Sequence, residues 1–218
     1  TFQALILHMR IKFPGFIFFF FTILLMGSCQ QNESVAEKGP KQTDSLSNPV
    51  KAMEASIKKF PDSLLLRAKL ADLQEEQGQL DLAMSTIESG LQLDSTAVIL
   101  HNRRASLFLM KGDTAAAISG LLKSLRYAPE QTDIHVELGF LYAAQKNKNA
   151  LIVANFLLTQ ADQPALQTQA RYMKGIYYTN TGDKKMALQL FNECIINDYT
   201  FLDAYMEKGI LLYNDKKY

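Results

Sequence analysis

The sequence predicts an all-α superhelix, a solenoid of stacked helix-turn-helix repeats with a period of about 34 residues, preceded by an apolar leader. Three observations carry this. Small residues recur at Ala71, Ala105, Gly139, Gly175 and Gly209, in steps of 34, 34, 36 and 34. A second set, Ala83, Ala117 and Ala187, keeps the same period, its last step spanning two repeats. Gly78, Gly112 and Gly182 fall between the two sets, where a chain reversing between helices needs a turn residue. Several kinds of marker on one period indicate units that each bury an open face against the next.

The leader comes first. The segment from Thr1 to Cys29 contains no Asp or Glu and holds seven of the thirteen Phe. From Met9, Arg10 and Lys12 form a short basic region, Phe16 to Met26 an apolar stretch broken only by Thr22, and Gly27 and Ser28 a small-residue end before Cys29. Basic, apolar, small is the order of a secretory signal. Eleven residues reach about half of a ~30 Å bilayer core, which is short for a spanning helix. Met26-Gly27-Ser28-Cys29 resembles the lipobox of bacterial lipoproteins, with Met for the usual Leu and Ser for the usual Gly or Ala before the Cys. The resemblance implies cleavage before Cys29 and acylation of that residue. Residues 1–28 are therefore expected to be signal peptide starting at Met9, with Thr1 to His8 an upstream extension. The expected location is the bacterial cell envelope. Gln30 in place of an Asp favours the outer membrane.

Residues 30–48 follow with almost no large apolar side chain and much Gln, Ser, Lys and Glu. Such a segment cannot bury enough surface to fold, and it reads as a flexible tether (29–48 with the cysteine) reaching about 25 Å. From Gln30 on, 21 Lys plus Arg face 22 Asp plus Glu, since only Arg10 and Lys12 precede it. That balance supplies no field for nucleic acid.

The body, 49–218, divides by the period into a half-repeat cap at 49–60, repeats at 62–95, 96–129, 130–164 and 165–199, and an incomplete repeat at 200–218. Expected helical hairpins lie near 63–92, 96–127, 131–161 and 166–196, with a last helix near 200–214. Asp62, Ser95 and Asp183 are the expected N-caps. Lys146 stands where the third repeat should have its turn glycine, and two extra residues precede Ala170, so the helix near Lys148 to Ala161 should be shifted. Gly175 is expected to face Ala187, with Tyr178 and Phe191 filling the space alongside. Asp215-Lys216-Lys217 stands where the turn of a fifth hairpin is due, and the sequence is read as a piece of a longer chain.

His135, Leu138, Gly139 and Tyr142 follow the first-helix spacing W-x-x-L-G-x-x-Y, with His for Trp. Arg171, Lys174, Gly175 and Tyr178, then Tyr205, Lys208, Gly209 and Leu212, repeat it more loosely. Ala187 and Phe191 form the second-helix pair A-x-x-x-F, weakened to Ala117 and Leu121 and to Ala83 and Ile87. These residues resemble the tetratricopeptide repeat (TPR) family over about Pro49 to Tyr218. The resemblance implies a protein-binding scaffold whose first helices line a concave groove.

Carried onto this chain, the groove is expected to hold Asp72, Glu75, Glu76, Asn102 and Ser106 in the early repeats. The later repeats supply Val136, Phe140, Tyr172, Ile176, Met206, Ile210 and Tyr213. The partner expected there is a protein or peptide with apolar anchors at one end and basic residues at the other. The Lys-and-Asn carboxylate clamp of some relatives is missing, because Ala68 and Asp72 stand in its place.

Catalytic chemistry finds no footing. His101 and His135 lie one period apart at the Trp place and read as core or boundary residues, while His8 lies in the leader. Cys194 reads as a small buried hydrophobe with no His near it in sequence. No phosphate loop, metal spacing or disulfide framework appears. Arg103-Arg104 reads as one solvated edge rather than an anion site. The chain is expected to be no enzyme, with no cofactor, no nucleic-acid partner and no small-molecule substrate. The alternative is a docking arm of a larger enzyme or envelope-assembly factor whose further domains lie beyond Tyr218.

Overall fold

The computed structural model describes residues 49–160 and 162–214. The leader, Cys29, the tether and the last four residues lie outside them. Ten α-helices and no strand occur among the described residues: α1 (Pro49–Lys59), α2 (Leu64–Glu76), α3 (Leu80–Leu93), α4 (Val98–Met110), α5 (Thr114–Tyr127), α6 (Thr132–Ala144), α7 (Asn149–Leu158), α8 (Pro164–Thr181), α9 (Lys184–Asn197) and α10 (Leu202–Asn214). Each helix packs mainly against its first or second neighbour in the chain. That locality defines a solenoid.

The period becomes packing through the small residues. Ala71, Ala83, Ala105, Ala117 and Ala187 are all buried where paired helices cross. A Cβ added at Gly175 would run into the Phe191 ring, and one at Gly139 into Met173 and Val153. Gly175 thus makes room for Phe191 itself. Phe191 is one of the two large side chains expected to fill the space beside this crossing.

Turns between paired helices share one geometry. Gly78, Gly112 and Gly182 have φ of 75°, 79° and 91°. Lys146 takes the same left-handed place at φ 58°, so the third turn forms without its glycine. The two extra residues are absorbed just beyond it. α7 ends early, at Leu158, and α8 begins at Pro164 and runs 18 residues where the other first helices run 13. Pro164 suits that start, because the first helical turn needs no N–H from it.

Two expected caps move. Ser63, one residue after Asp62, caps α2 by accepting from the Leu66 N–H at 3.3 Å. Ala97 begins α4 without a side-chain cap, and Asp94 instead folds over the preceding turn, accepting from the Thr96 amide at 2.8 Å. A capping oxygen belongs to the residue in the N-cap place, which is Ser63 at α2 and Ala97 at α4, so Asp62 and Ser95 lie outside that register. Asp183 caps α9 as expected, taking the Met186 N–H at 3.1 Å.

Candidate functional site

The first helices of successive repeats, α2, α4, α6, α8 and α10, bring the expected groove residues onto equivalent places one period apart. At the early end, Asp72 and Glu75 are half-buried and Glu76 is exposed, and Asn102 and Ser106 are half-buried. Asp72 forms an ion pair with Arg103 Nε at 2.8 Å. Burial raises its carboxyl, with Arg103 opposing that and Glu76 adding to it.

The later end differs from expectation. Tyr172 and Ile176 are buried, with 8% and 6% of their surface exposed, so they are not open anchors. The Tyr172 ring sits 5.2 Å from Phe201, 5.7 Å from Phe191 and 5.8 Å from Phe140, an aromatic cluster inside the solenoid. Burial, with Glu207 and Asp203 close by, pushes its hydroxyl far above the ordinary tyrosine range. The reason for the correction is geometric. Phe201, just before α10, folds over this side of α8, a contact the spacing of first helices alone does not reveal. Val136 and Phe140 are half-buried against the core. Met206, Ile210 and Tyr213 on α10 are exposed, Tyr213 by 71%. Among the expected groove residues, the accessible apolar ones therefore lie on α10 with a partial contribution from α6.

Two groove residues escaped the sequence reading. Arg103 faces Asp72, while Glu137, one period later on α6, lies in the field of Arg103. Burial pushes the Glu137 carboxyl up to about 7, with Arg103 pulling it back. The signal was present: a cation and an acid stand one period apart at one helical place. Arg103 and Arg104 are not one edge. The Arg103 side chain is 41% exposed on the groove side, whereas that of Arg104 is 16% exposed and bonds Glu88 Oε1 at 3.1 Å.

The other candidates behave as packing groups. His101 is buried, its Nε2 lies 2.8 Å from the Ser95 carbonyl oxygen, and its ring stacks on Tyr127 at 5.9 Å. His135 repeats the arrangement, with Nε2 2.8 Å from the Pro129 oxygen and its ring 4.7 Å from Phe156. Burial pushes the Cys194 thiol up to about 12, and its Sγ contacts the Thr168 carbonyl at 3.5 Å. A thiol held protonated is no nucleophile at neutral pH. Among the described residues, no group of three His, Cys, Asp or Glu could hold a metal, and no helix is long and apolar enough to cross a membrane.

Comparison with known proteins agrees with this geometry. Residues 168–195, the core of the α8–α9 hairpin, match the family described as tetratricopeptide repeat. No curated protein matches the sequence. Among solved structures, YrrB, described as a TPR protein with an unusual peptide-binding site, is 21% identical, with a TM-score of 0.58 over 77% of this chain and 86% of that one. A tetratricopeptide repeat protein from Parabacteroides merdae is 22% identical, with a TM-score of 0.68 over 77% of this chain and 66% of that one. TTC0263, a thermophilic TPR protein of Thermus thermophilus, is 18% identical, with a TM-score of 0.57 over 75% of this chain and 89% of that one. The described body has the all-α superhelical fold of TPR proteins.

Proposed function

We propose that this chain is a protein-binding scaffold that holds a segment of a partner along its concave side, and that Cys29 carries a lipid tethering it at a bacterial envelope membrane. The observation that carries the scaffold reading is the exposed set of Met206, Ile210 and Tyr213 on α10, with half-buried Phe140 and Val136 at the equivalent places on α6. Aromatic and long aliphatic groups supply contact area at small entropic cost, which is why they recur at binding hot spots. Asp203 and Glu207 on α10 give this end carboxylates as well, so a partner segment mixing apolar and basic residues fits it. The peptide-binding site ascribed to YrrB supports the choice of a peptide. The tether reading rests on the sequence around Cys29 alone.

A photo-crosslinking residue at Ile210, in cells, tests the scaffold reading. Discrete crosslinked partners are expected there, and none at exposed Ile152 on α7. Tyr213→Ala should weaken capture by about 1–2 kcal/mol while helicity is unchanged. Equal crosslinking at both positions, or unchanged capture by Tyr213→Ala, rejects the groove. Cys29→Ala should shift the chain out of the membrane fraction. A variant that stays there with unchanged mobility rejects the lipid.

A further inference from the structure

On the side of α4 turned away from the groove, a pocket of 290 Å³ opens between the end of α3, α4 and the end of α5, lined by Leu91, Ser95, His101, Arg104, Lys123, Arg126 and Tyr127. We propose that this pocket binds a phosphate monoester, taking its dianion between Arg104, Lys123 and Arg126 and its organic body against Tyr127 and Leu91.

Charge makes the first part of the case. Three cations line the pocket and no carboxylate does. Glu88, outside the lining, bonds one end of the Arg104 guanidinium at 3.1 Å, so a positive excess remains. Lys123 and Arg126 stand three residues apart on α5 and therefore share a face. Excess positive charge of this size suits a dianion better than a carboxylate, and the guanidinium fork matches phosphate oxygens.

Preorganisation makes the second part. His101 Nε2 lies 2.8 Å from the Ser95 carbonyl and must donate to it, which leaves Nδ1 to accept from Arg104 Nη2 at 3.2 Å. The guanidinium is thus held from two sides, by His101 and Glu88, while its buried Nε has no hydrogen-bond partner. Tyr127 stacks on the His101 ring and forms a flat wall, and Leu91 is a buried apolar surface. A volume of 290 Å³ stands near the low end of small-molecule pockets, enough for the phosphate and a small attached group.

The repeat itself supplies a control. One period from Arg104, the first and third repeats have Leu70 and Leu138, both buried. One period before Lys123 and Arg126 stand Ser89 and Gln92. The hairpin packs without these charges in its neighbours, so the fold does not require the cluster. Burying most of the charged Arg104 side chain where a leucine fits costs desolvation of its guanidinium, and an anion would offset that cost.

Calorimetry on the whole chain tests this, with phenyl phosphate as probe, acetate as the monoanion comparison, and phosphatidylcholine vesicles with and without phosphatidic acid as the lipid arm. The Lys123→Gln/Arg126→Gln double variant changes only exposed side chains and should fold as before. Saturable binding of phenyl phosphate is expected, at least tenfold weaker in the double variant, with acetate showing none. Absence of saturable binding, equal binding by the variant, or acetate binding as well as phenyl phosphate overturns the proposal. Vesicle binding that needs phosphatidic acid while phenyl phosphate fails to bind also overturns it, in favour of a lipid surface.

Discussion

The two ends of the solenoid are built on one period but from different materials. The first hairpin buries Ala68, Ala71, Ala83, Ile87, Leu91, Ala97, Leu100 and Leu107, small and aliphatic groups with no ring among them. The later hairpins bury Tyr142, Tyr172, Met173, Tyr177 and Phe191 together with their alanines. α4 is the divide: Leu100 and Leu107 face one core, Ala105 and Leu109 the other. Small residues let helices approach closely and need little else, whereas an aromatic core needs glycine notches to receive its rings. The first design tolerates exchange of one aliphatic for another. The second depends on particular pairs, Gly175 with Phe191 above all.

The largest break in this comparison should come from Phe191→Ala. It removes a fully buried ring that touches both the Gly175 notch and Tyr172, and should cost about 3–5 kcal/mol. Ile87→Ala, at the equivalent place three hairpins earlier, should fall toward the lower part of the ~2–5 kcal/mol range for aliphatic truncations. Urea unfolding followed by circular dichroism measures both. A smaller loss for Phe191→Ala than for Ile87→Ala would show that the ring is not the keystone of the later core.

Glu137→Gln probes the seam where the two regions meet on the groove side. Burial raises the folded carboxyl to about 7, above its ordinary 4.5, so ionising it opposes folding. The charged form is reached only as pH rises, and stability should fall between about pH 4.5 and 7. The neutral amide escapes this, and its advantage should be absent at about pH 4, grow through that window and level off near pH 8. A gain on the order of 1–2 kcal/mol at pH 8 allows for partial solvent access. An advantage independent of pH would place the cause in packing rather than charge.

Gly175 and Gly209 sharpen the contrast within the later region, since they occupy the same place in successive first helices. An added methyl at Gly175 meets Phe191, and Gly175→Ala should cost about 1–3 kcal/mol by overpacking. The same methyl at Gly209 meets nothing within 4 Å, and Gly209→Ala should stabilise by up to about 1 kcal/mol through helix propensity. Thermal melts of the two variants should move in opposite directions. Movement in the same direction would show that something covers α10 at Gly209 in solution.

Much of this was legible in the sequence because periodicity reports packing directly. The alanines of both series and Gly139 and Gly175 lie at packed places, Gly209 alone standing open, and the hairpins begin and end close to their expected bounds. The groove was legible only as a set of places. Spacing puts Tyr172 and Ile176 on the groove side of α8, but whether a side chain there is open depends on what the next connection lays over it, and Phe201 closes that space. The Arg103-Arg104 pair misled for a related reason. Neighbours in sequence point about 100° apart on a helix, so adjacent charges serve different faces. One cap slipped by one residue, from Asp62 to Ser63, and at α4 the cap place fell to Ala97, two beyond Ser95, because several polar residues precede these helices and only backbone geometry selects among them.

The smallest effect should come from the turns. Three of the four within-repeat turns place glycine at φ of 75°, 79° and 91°, where an L side chain crowds the carbonyl, and the fourth places Lys146 there at φ 58°. Lys146 is exposed, and its amide bonds the Ala143 oxygen at 3.1 Å whatever its side chain. Lys146→Gly therefore removes the left-handed penalty without removing a contact, at the expense of a more flexible unfolded chain. The left-handed penalty is about 1–2 kcal/mol and the glycine entropy about 0.5–1 kcal/mol, so a net gain of about 0.5–1 kcal/mol is expected. Gly112→Ala, the reverse change in the earlier region at φ 79°, should lose a similar amount. The pair isolates turn strain from core chemistry, because neither residue is buried and neither core is touched. If Lys146→Gly destabilises while Gly112→Ala also does, the lysine side chain contributes something at that turn that outweighs its backbone strain.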